Sequence, residues 1–314
     1  MIQVMDRYVG SRPYEGLDDL VHMQDLLMEG RRQTNDWYYP HVGDLNFWFF
    51  MVDCHLDPLQ YIRLWHNQTG DLVAYAMLGE DPTLDWQVLP EYEWCGIEAE
   101  VLAWAGVRLD ELVKQDVDAW GGPLITGARQ DNIKRVAFLE EHGFRRREYA
   151  EVNMICPLEG EIAVPAVPPG WQVRSMGAEG EVRERAAVQH DVWQPWTVGN
   201  VYAEDYTRFM QLPGYDRDLD IVAVAEDGTI GAYVNGWIDP INRVGDLGPV
   251  GARQEFRRRG LSRAVLQECL RRMQVRGMER VSVSTGVSNE PALRLYASVG
   301  FKGENTYLEY ARNG

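Results

Sequence analysis

Residues 255–266 read EFRRRGLSRAVL, in which Arg257, Arg258 and Arg259 stand directly before Gly260 and an amphipathic pattern then begins. The 314-residue chain carries 31 Lys+Arg against 48 Asp+Glu, a formal net charge of -17, so this concentration of positive charge runs against the whole. Leu261, Val265, Cys269 and Met273 recur at i, i+4 spacing and Gly277 follows, which predicts a helix over 261–276. A glycine at the mouth of a helix lets the backbone approach a ligand closely. The first helical turn offers N–H groups that have no intrahelical partner, at the positive end of the helix dipole. With arginine forks beside it, such a loop suits a phosphate; the competing reading is a solvated basic turn. The stretch matches neither GxxxxGK(S/T) nor GxGxxG, so the nucleotide-hydrolase and dinucleotide-binding signatures are missing here.

Outward from this loop, DIVAVAED (220–227), GTIGAYVNGWI (228–238) and RVSVSTGV (280–287) read as strands, being rich in β-branched residues and bounded by turn residues such as Asp227-Gly228. RVGDLGPVGA (243–252) is a further strand leading into the loop, and a second helix is expected between Asn289 and Gly300. The pattern recurs. GDLVAYAML (70–78) lies over GTIGAYVNG (228–236) at an offset of 158, and DNIKRVAFLEEHGF (131–144) lies over SNEPALRLYASVGF (288–301) at 157. Between these anchors EWCGIEAEVLAWA (93–105) corresponds to RRRGLSRAVLQEC (257–269), with Gly96 facing Gly260. PLEGEIAVPAVPPG (157–170) holds four prolines and no helical period, the composition of an extended linker. The chain is therefore read as one mixed α/β (α+β) plan occurring twice, with domains over 1–156 and 170–314 and a linker over 157–169.

The length allows two ordinary domains or one large one, 45% hydrophobic residues can build a real core, and no run of eighteen apolar residues predicts a membrane span. The opening MIQVMDRYVGSRPYEG lacks the regions of a secretory signal, so the expectation is a cytoplasmic protein. Cys54, Cys95, Cys156 and Cys269 are too scattered for a zinc knuckle or CxxC pair and read as free thiols. The six histidines show no HExxH-like spacing, so no metal is expected. The negative charge argues against nucleic acid as a partner. It is unevenly spread: residues 1–157 carry 27 acids and 13 bases, residues 158–314 carry 21 and 18.

The loop resembles that of the GCN5-related N-acetyltransferases (the GNAT superfamily), whose acetyl-CoA loop follows Q/R-x-x-G-x-G/A. Here the stretch is Arg257, Arg258, Arg259, Gly260, Leu261, Ser262, with Ser at the last small position. The family's downstream element, an Asn and then a helix carrying LY and ending in GF, stands as NEPALRLYASVGF (289–301). The resemblance covers residues from about 170 to 312. It implies two tandem acyl-CoA N-acyltransferase folds, acetyl-CoA as cosubstrate, and a positive loop that holds the pyrophosphate of coenzyme A.

The first half resembles a degenerate copy, with Glu93, Gly96 and Glu98 where the second has Arg257, Gly260 and Ser262, and Leu139 in place of Tyr296. A carboxylate about 4 Å from a phosphate charge costs roughly 1 kcal/mol in water and about 4 at an effective dielectric of 20. Residues 1–156 are accordingly expected to be structural or acceptor-shaping. Tandem arrangements of this kind also occur among mycothiol synthase-like enzymes, whose acceptor is not carried over from the resemblance.

By the same resemblance, Tyr296 falls where the family's tyrosine protonates the coenzyme A thiolate; a tyrosine packed on the sheet is the alternative. Asp246, on the strand before the loop, is the candidate base acting through water, or else an exposed strand carboxylate. Backbone N–H groups of Val250, Gly251 and Ala252 would meet the thioester carbonyl and pantetheine, and Asn289 would hold pantetheine or cap its helix. In HDVWQPWTVGNVYAEDYTRF (190–209), Asp191, Trp193, Trp196, Tyr202 and Asp205 form either an aromatic and acidic pocket for an amine or ordinary core. The expected function is acetyl transfer to a primary amine, small-molecule or peptide, in the C-terminal half. A non-catalytic acyl-CoA-binding sensor or partner-docking protein is the rival, longer acyl chains are compatible with the loop, and oligomerisation stays open.

Overall fold

The structure is a computed structural model and describes residues 8–34, 39–177, 179–195 and 200–313. In chain order its elements begin with β1 (Tyr8–Pro13), α1 (Leu17–Thr34), α2 (Val42–Phe47), α3 (Pro58–Tyr61), β2 (Ile62–Asn67), β3 (Leu72–Gly79) and β4 (Thr83–Val88). There follow α4 (Ile97–Gln115), α5 (Val117–Trp120), β5 (Leu124–Arg129), α6 (Ile133–Glu141), β6 (Arg145–Pro157) and β7 (Trp171–Ser175). The rest are α7 (Val182–Trp193), α8 (Ala203–Phe209), β8 (Asp220–Ala225), β9 (Ile230–Asp239), β10 (Val244–Ala252), α9 (Leu261–Val275), β11 (Arg280–Gly286), α10 (Glu290–Ala297) and β12 (Lys302–Arg312). This is a mixed α/β architecture.

Its compact units are interleaved along the chain. Met1–Pro40, His55–Glu151 and Asn305–Gly314 make the first; His41–Cys54 and Val152–Glu304 make the second. Residues 158–170 carry neither helix nor strand. The first unit takes its strands in the order β1-β2-β3-β4-β5, then Asn305–Arg312 of β12; the second takes Val152–Pro157 of β6, then β11-β10-β9-β8-β7. The first unit is thus completed from far along the chain: Tyr307–Arg312 of β12 pair antiparallel with Arg129–Leu124 of β5.

The repeat read from sequence is a repeat of structure. Helices α4 and α9 both follow a left-handed glycine, Gly96 at φ 111° and Gly260 at φ 87°. Helices α6 and α10 both open on an Asn whose side chain accepts a backbone N–H, Asn132 from Arg135 and Asn289 from Ala292. Both close alike, with Phe144 N–H donating to Leu139 O (3.0 Å) and Phe301 N–H to Tyr296 O (3.1 Å). These are capping solutions to the same problem of unsatisfied helix ends.

In the second unit β9 is buried nearly throughout, because helices cover both faces of the sheet. Ala232 and Val234 face the core beneath α9 with Leu261, Val265 and Met273; Tyr233 and Trp237 face the core of α7 and α8 with Phe47, Tyr206 and Phe209. Segment 41–54 belongs to that second face. His41 caps α2: Nδ1 accepts the Gly43 N–H, while Asp44 accepts the His41 N–H. With Nδ1 accepting, Nε2 carries the proton and points at Val244 O, 3.3 Å away on β10. Gly43 lies so close to Trp237 that a Cβ there would come within 2.3 Å of the indole.

Candidate functional site

In the second unit, β10 and β11 are parallel partners at Val244–Arg280, Gly245–Val281 and Asp246–Ser282. Beyond that, β10 stays with β9 as far as Ala252 but shares no further register with β11 among the described residues, so the strands fork after Asp246. A bulge between Leu247 and Val250 deepens the fork, and Trp237 Nε1–H fixes it by donating to Gly248 O at 2.8 Å. Val250, Gly251 and Ala252 pair with Val234, Tyr233 and Ala232, leaving their other edge toward the fork. Gly251 is required there by contact: an added Cβ would meet the Tyr233 ring at 2.7 Å.

Asp246 is buried at the apex of the fork, where Ser282 Oγ lies 2.5 Å from its Oδ1. Tyr296 on α10 is buried as well; desolvation, reinforced by the Asp246 and Tyr233 charges, holds its phenol well above the usual range, so it keeps its proton at neutral pH. Asn289 caps α10 and donates from Nδ2 to Thr285 Oγ1 at 3.2 Å.

Ahead of α9, Arg257, Arg258, Arg259 and Gly260 are exposed. Arg258 takes a left-handed φ of 60° and Gly260 follows at 87°, the kind of turn from which anion nests of backbone N–H groups are built. Among the described residues no acceptor lies on the amides of Arg258, Arg259 and Gly260, and a Cβ on Gly260 would point into open space. Arg257 Nε donates to Ala252 O at 3.1 Å, tying the loop to the end of β10. Ser262 sits in the first turn of α9 and Leu261 is buried beneath it. These residues fit an extended, phosphate-bearing ligand whose other end lies along β10.

Of the residues expected to shape an acceptor pocket, Asp191 and Trp193 lie on α7, Tyr202 caps α8 and Asp205 lies in its first turn. Asp191 pairs with the buried Arg253 (2.8 Å), which also bonds Glu184 and Ile230 O. Trp193 Nε1–H donates to Tyr233 Oη at 2.8 Å. Asp205 accepts the Tyr202 N–H and pairs with Arg208, closing the cap of α8, while the Tyr202 side chain is 66% exposed. Trp196 lies outside the described residues. Sequence reasoning missed the polar cluster below them: Arg185, fully buried, meets Asp220, Gln189 and Asn235 and stacks 3.7 Å from the Tyr233 ring centroid. Tyr206 and Tyr215 both donate to Asp220 Oδ2. No local motif signals such a cluster, since its members are up to fifty residues apart.

The corresponding place in the first unit is filled by its own side chains. Trp94 and Gly96 repeat the left-handed turns at φ 61° and 111°, but the Trp94 N–H donates to Glu98 Oε1 at 2.7 Å. Glu93 and Glu98 are both pushed up by burial, and Tyr39 Oη lies 3.4 Å from Glu93. Strands β4 and β5 pair at Thr83–Ile125, and past that point Arg135 of α6 spans them, donating to Trp86 O and Gly127 O and lying 3.8 Å over the Trp86 ring. In the aligned repeats Arg135 stands over Ala292, a small residue. That substitution was visible in the sequence once the repeats were laid together, and it is the signal that could have found the plug.

No helix of the described residues is long and apolar enough to cross a membrane. The Acetyltransferase (GNAT) family model matches residues 185–301, which contain the fork, the arginine loop and Tyr296. Mycothiol acetyltransferase of Kineococcus radiotolerans is 28% identical, over 79% of this chain and 80% of its own length. That of Thermobispora bispora is also 28% identical, but the match spans 50% of this chain and only about half, 55%, of that relative. A GCN5-related N-acetyltransferase from Sphaerobacter thermophilus superposes with a TM-score of 0.65 at 21% identity, covering 97% of this chain and 95% of its own. A tandem GNAT protein from the clavulanic acid biosynthesis pathway does so with a TM-score of 0.62 at 16% identity, covering 96% and 97%. The forked sheet, the basic loop and the family match fall on one stretch, so residues 185–301 are similar to a GNAT acetyltransferase domain.

Proposed function

We propose that the second unit transfers an acetyl group from acetyl-CoA to a primary amine by direct attack. The observation that supports this most is the open amide nest at Arg258–Gly260, joined through Arg257 to the end of the strand that carries Asp246. Arg257, Arg258 and Arg259 with the first turn of α9 hold the pyrophosphate, Val250 to Ala252 receive the pantetheine and the thioester carbonyl, and Ser262 leaves room for the phosphates.

The acceptor ammonium gives one proton to Asp246, directly or through water, and the free amine attacks the thioester carbon. The C–N bond forms and the C–S bond breaks. Tyr296 donates to the departing sulfur, and the second proton of the acceptor nitrogen restores the phenol. Asp246 then returns its proton to solvent, so that the balance is one amide, one thiol and one released proton. Because its phenol is held above the usual range, Tyr296 stays protonated until sulfur charge develops. A mycothiol-related amine is the acceptor class that the names of the curated relatives suggest.

Thiol release from acetyl-CoA across a panel of primary amines, alcohols and thiols tests this reading. Amine-dependent release with N-acetylated product supports it; binding of acetyl-CoA with no release to any amine, or preference for a hydroxyl or thiol acceptor, overturns it.

A further inference from the structure

We infer that Ser282 is a positioning residue for the Asp246 base: a hydroxyl that satisfies the buried carboxyl group in both of its protonation states. The inference rests on Asp246 being the base. Asp246 is 5% exposed and Ser282 1%. A buried carboxyl group that gains and loses a proton on every turnover changes one oxygen from acceptor to donor. Its neighbour must reverse with it, or a buried polar atom is left unmatched in one state. An amide or a cation cannot reverse in this way; a hydroxyl can.

Ser282 has the geometry for it. Its Oγ lies 2.5 Å from Asp246 Oδ1 and 3.3 Å from Gly245 O. With Asp246 ionised, Ser282 donates to Oδ1. Once Asp246 has taken the proton from the acceptor nitrogen, its O–H donates to Ser282 Oγ, and the serine proton swings to the Gly245 carbonyl. Ser282 neither gains nor loses a proton; it rotates. The pairing of Gly245 with Val281 and of Asp246 with Ser282 is the last before the strands part, so the switch is held by sheet on one side and opens to the fork on the other.

The titratable groups on the elements packed around Asp246 are Tyr296 on α10, Tyr233 on β9 and His41 at the head of α2, with the Arg185–Asp220 pair in the core that Trp237 shares. Both tyrosines are held protonated by burial, and the His41 ring is engaged by Gly43 and Val244. Tyr233 Oη accepts the Trp193 Nε1–H, and the hydroxyl found 2.5 Å from Oδ1 is that of Ser282.

The experiment is the pH dependence of kcat/KM in the full-length chain with acetyl-CoA and an amine from the panel, for wild type, S282A, S282T, D246N and the D246N/S282A pair. Removing the donor disfavours the carboxylate, so the pKa of the base rises and the acidic limb of S282A moves up by about one pH unit, a roughly tenfold loss below the limb. S282T restores the limb, the KM for acetyl-CoA is unchanged, and S282A has no further effect in the D246N background. A limb in S282A that coincides with wild type overturns the role of Ser282, as does an equal loss from S282A with and without Asp246. D246N with wild-type turnover and limb removes the base assignment itself, and is told apart from the first failure by the single variant. Thermal melts of S282A and D246N confirm that folded proteins are compared.

Discussion

The loop before α4 and the loop before α9 follow the same backbone path, with Trp94 and Arg258 at φ 61° and 60° and a left-handed glycine two residues on in each. What meets that backbone is opposite in the two. Before α9, among the described residues, no acceptor lies on the amides of Arg258, Arg259 and Gly260; before α4 the Trp94 amide is bonded to the carboxylate of Glu98, four residues away. The first unit thus keeps an anion nest and supplies its own anion. A tethered carboxylate reaches the nest without the translational cost that a free ligand meets, so it competes at a high effective concentration. A like contrast holds at the fork, which Arg135 bridges in the first unit and where the aligned residue of the second is Ala292, too short to do so. Copies of a fold can lose a site while losing none of its backbone geometry.

The largest expected effect falls on the residue with no counterpart. Tyr296→Phe lowers kcat by about 10² to 10⁴-fold with acetyl-CoA affinity nearly unchanged, as a proton donor to sulfur requires; wild-type turnover measured where chemistry limits the rate removes Tyr296 from the mechanism. Next is Arg257→Glu, which gives the loop before α9 the charge of the loop before α4 and is expected to weaken acetyl-CoA binding by on the order of 2 to 4 kcal/mol in titration calorimetry. Wild type shows one site per chain. Two comparable sites, or unchanged binding in the variant, break the comparison at its base.

Smaller effects come from the first unit. Arg135→Ala removes a cation stacked on Trp86 and two backbone contacts, and lowers stability by about 1 to 3 kcal/mol in denaturant unfolding. The calorimetric stoichiometry stays at one, because Glu98 still occupies the nest. Glu98→Gln has the least effect, on the order of 1 kcal/mol of added stability at pH 7, since the amide oxygen still accepts the Trp94 N–H without a buried charge. The sign follows from burial raising the Glu98 pKa: its favourable contribution is complete below the unfolded value and is lost as pH rises through the folded one. The variant therefore shows a flatter rise in stability on acidification from pH 7 than wild type does. An unchanged pH dependence means that Glu98 is not the group responsible.

Much of this was legible because it is local. Helix α9 was read at 261–276 and is found at Leu261–Val275; the strands around residues 220–252 and 280–287 and the cap at Asn289 follow from periodicity and turn chemistry over a few residues. The two-copy plan was legible because matched turn and cap residues recur at nearly constant offset. What depends on distant contact was not. Ser282 reads as any strand serine until the parallel register sets it beside Asp246, thirty-six residues away. Asp191 and Asp205 read as parts of an acidic pocket or of the core, and their pairing with Arg253 and Arg208 could not be read from spacing. Nothing in the spacing of His41 from Val244 hints that an early segment of the chain would brace the strand carrying the candidate base.

The late completion of the first unit imposes an order on how it comes into being. Asn305–Gly314, which complete it, are synthesised after residues 152–304 of the second unit, so β5 presents an unpaired edge through all of that elongation. The first half cannot close before the second is made, which delays its long-range pairing and leaves a window for chaperones or for mispairing with a neighbouring nascent chain. Loss of Asn305–Gly314 would then be felt first in the unit whose other segments are encoded earlier.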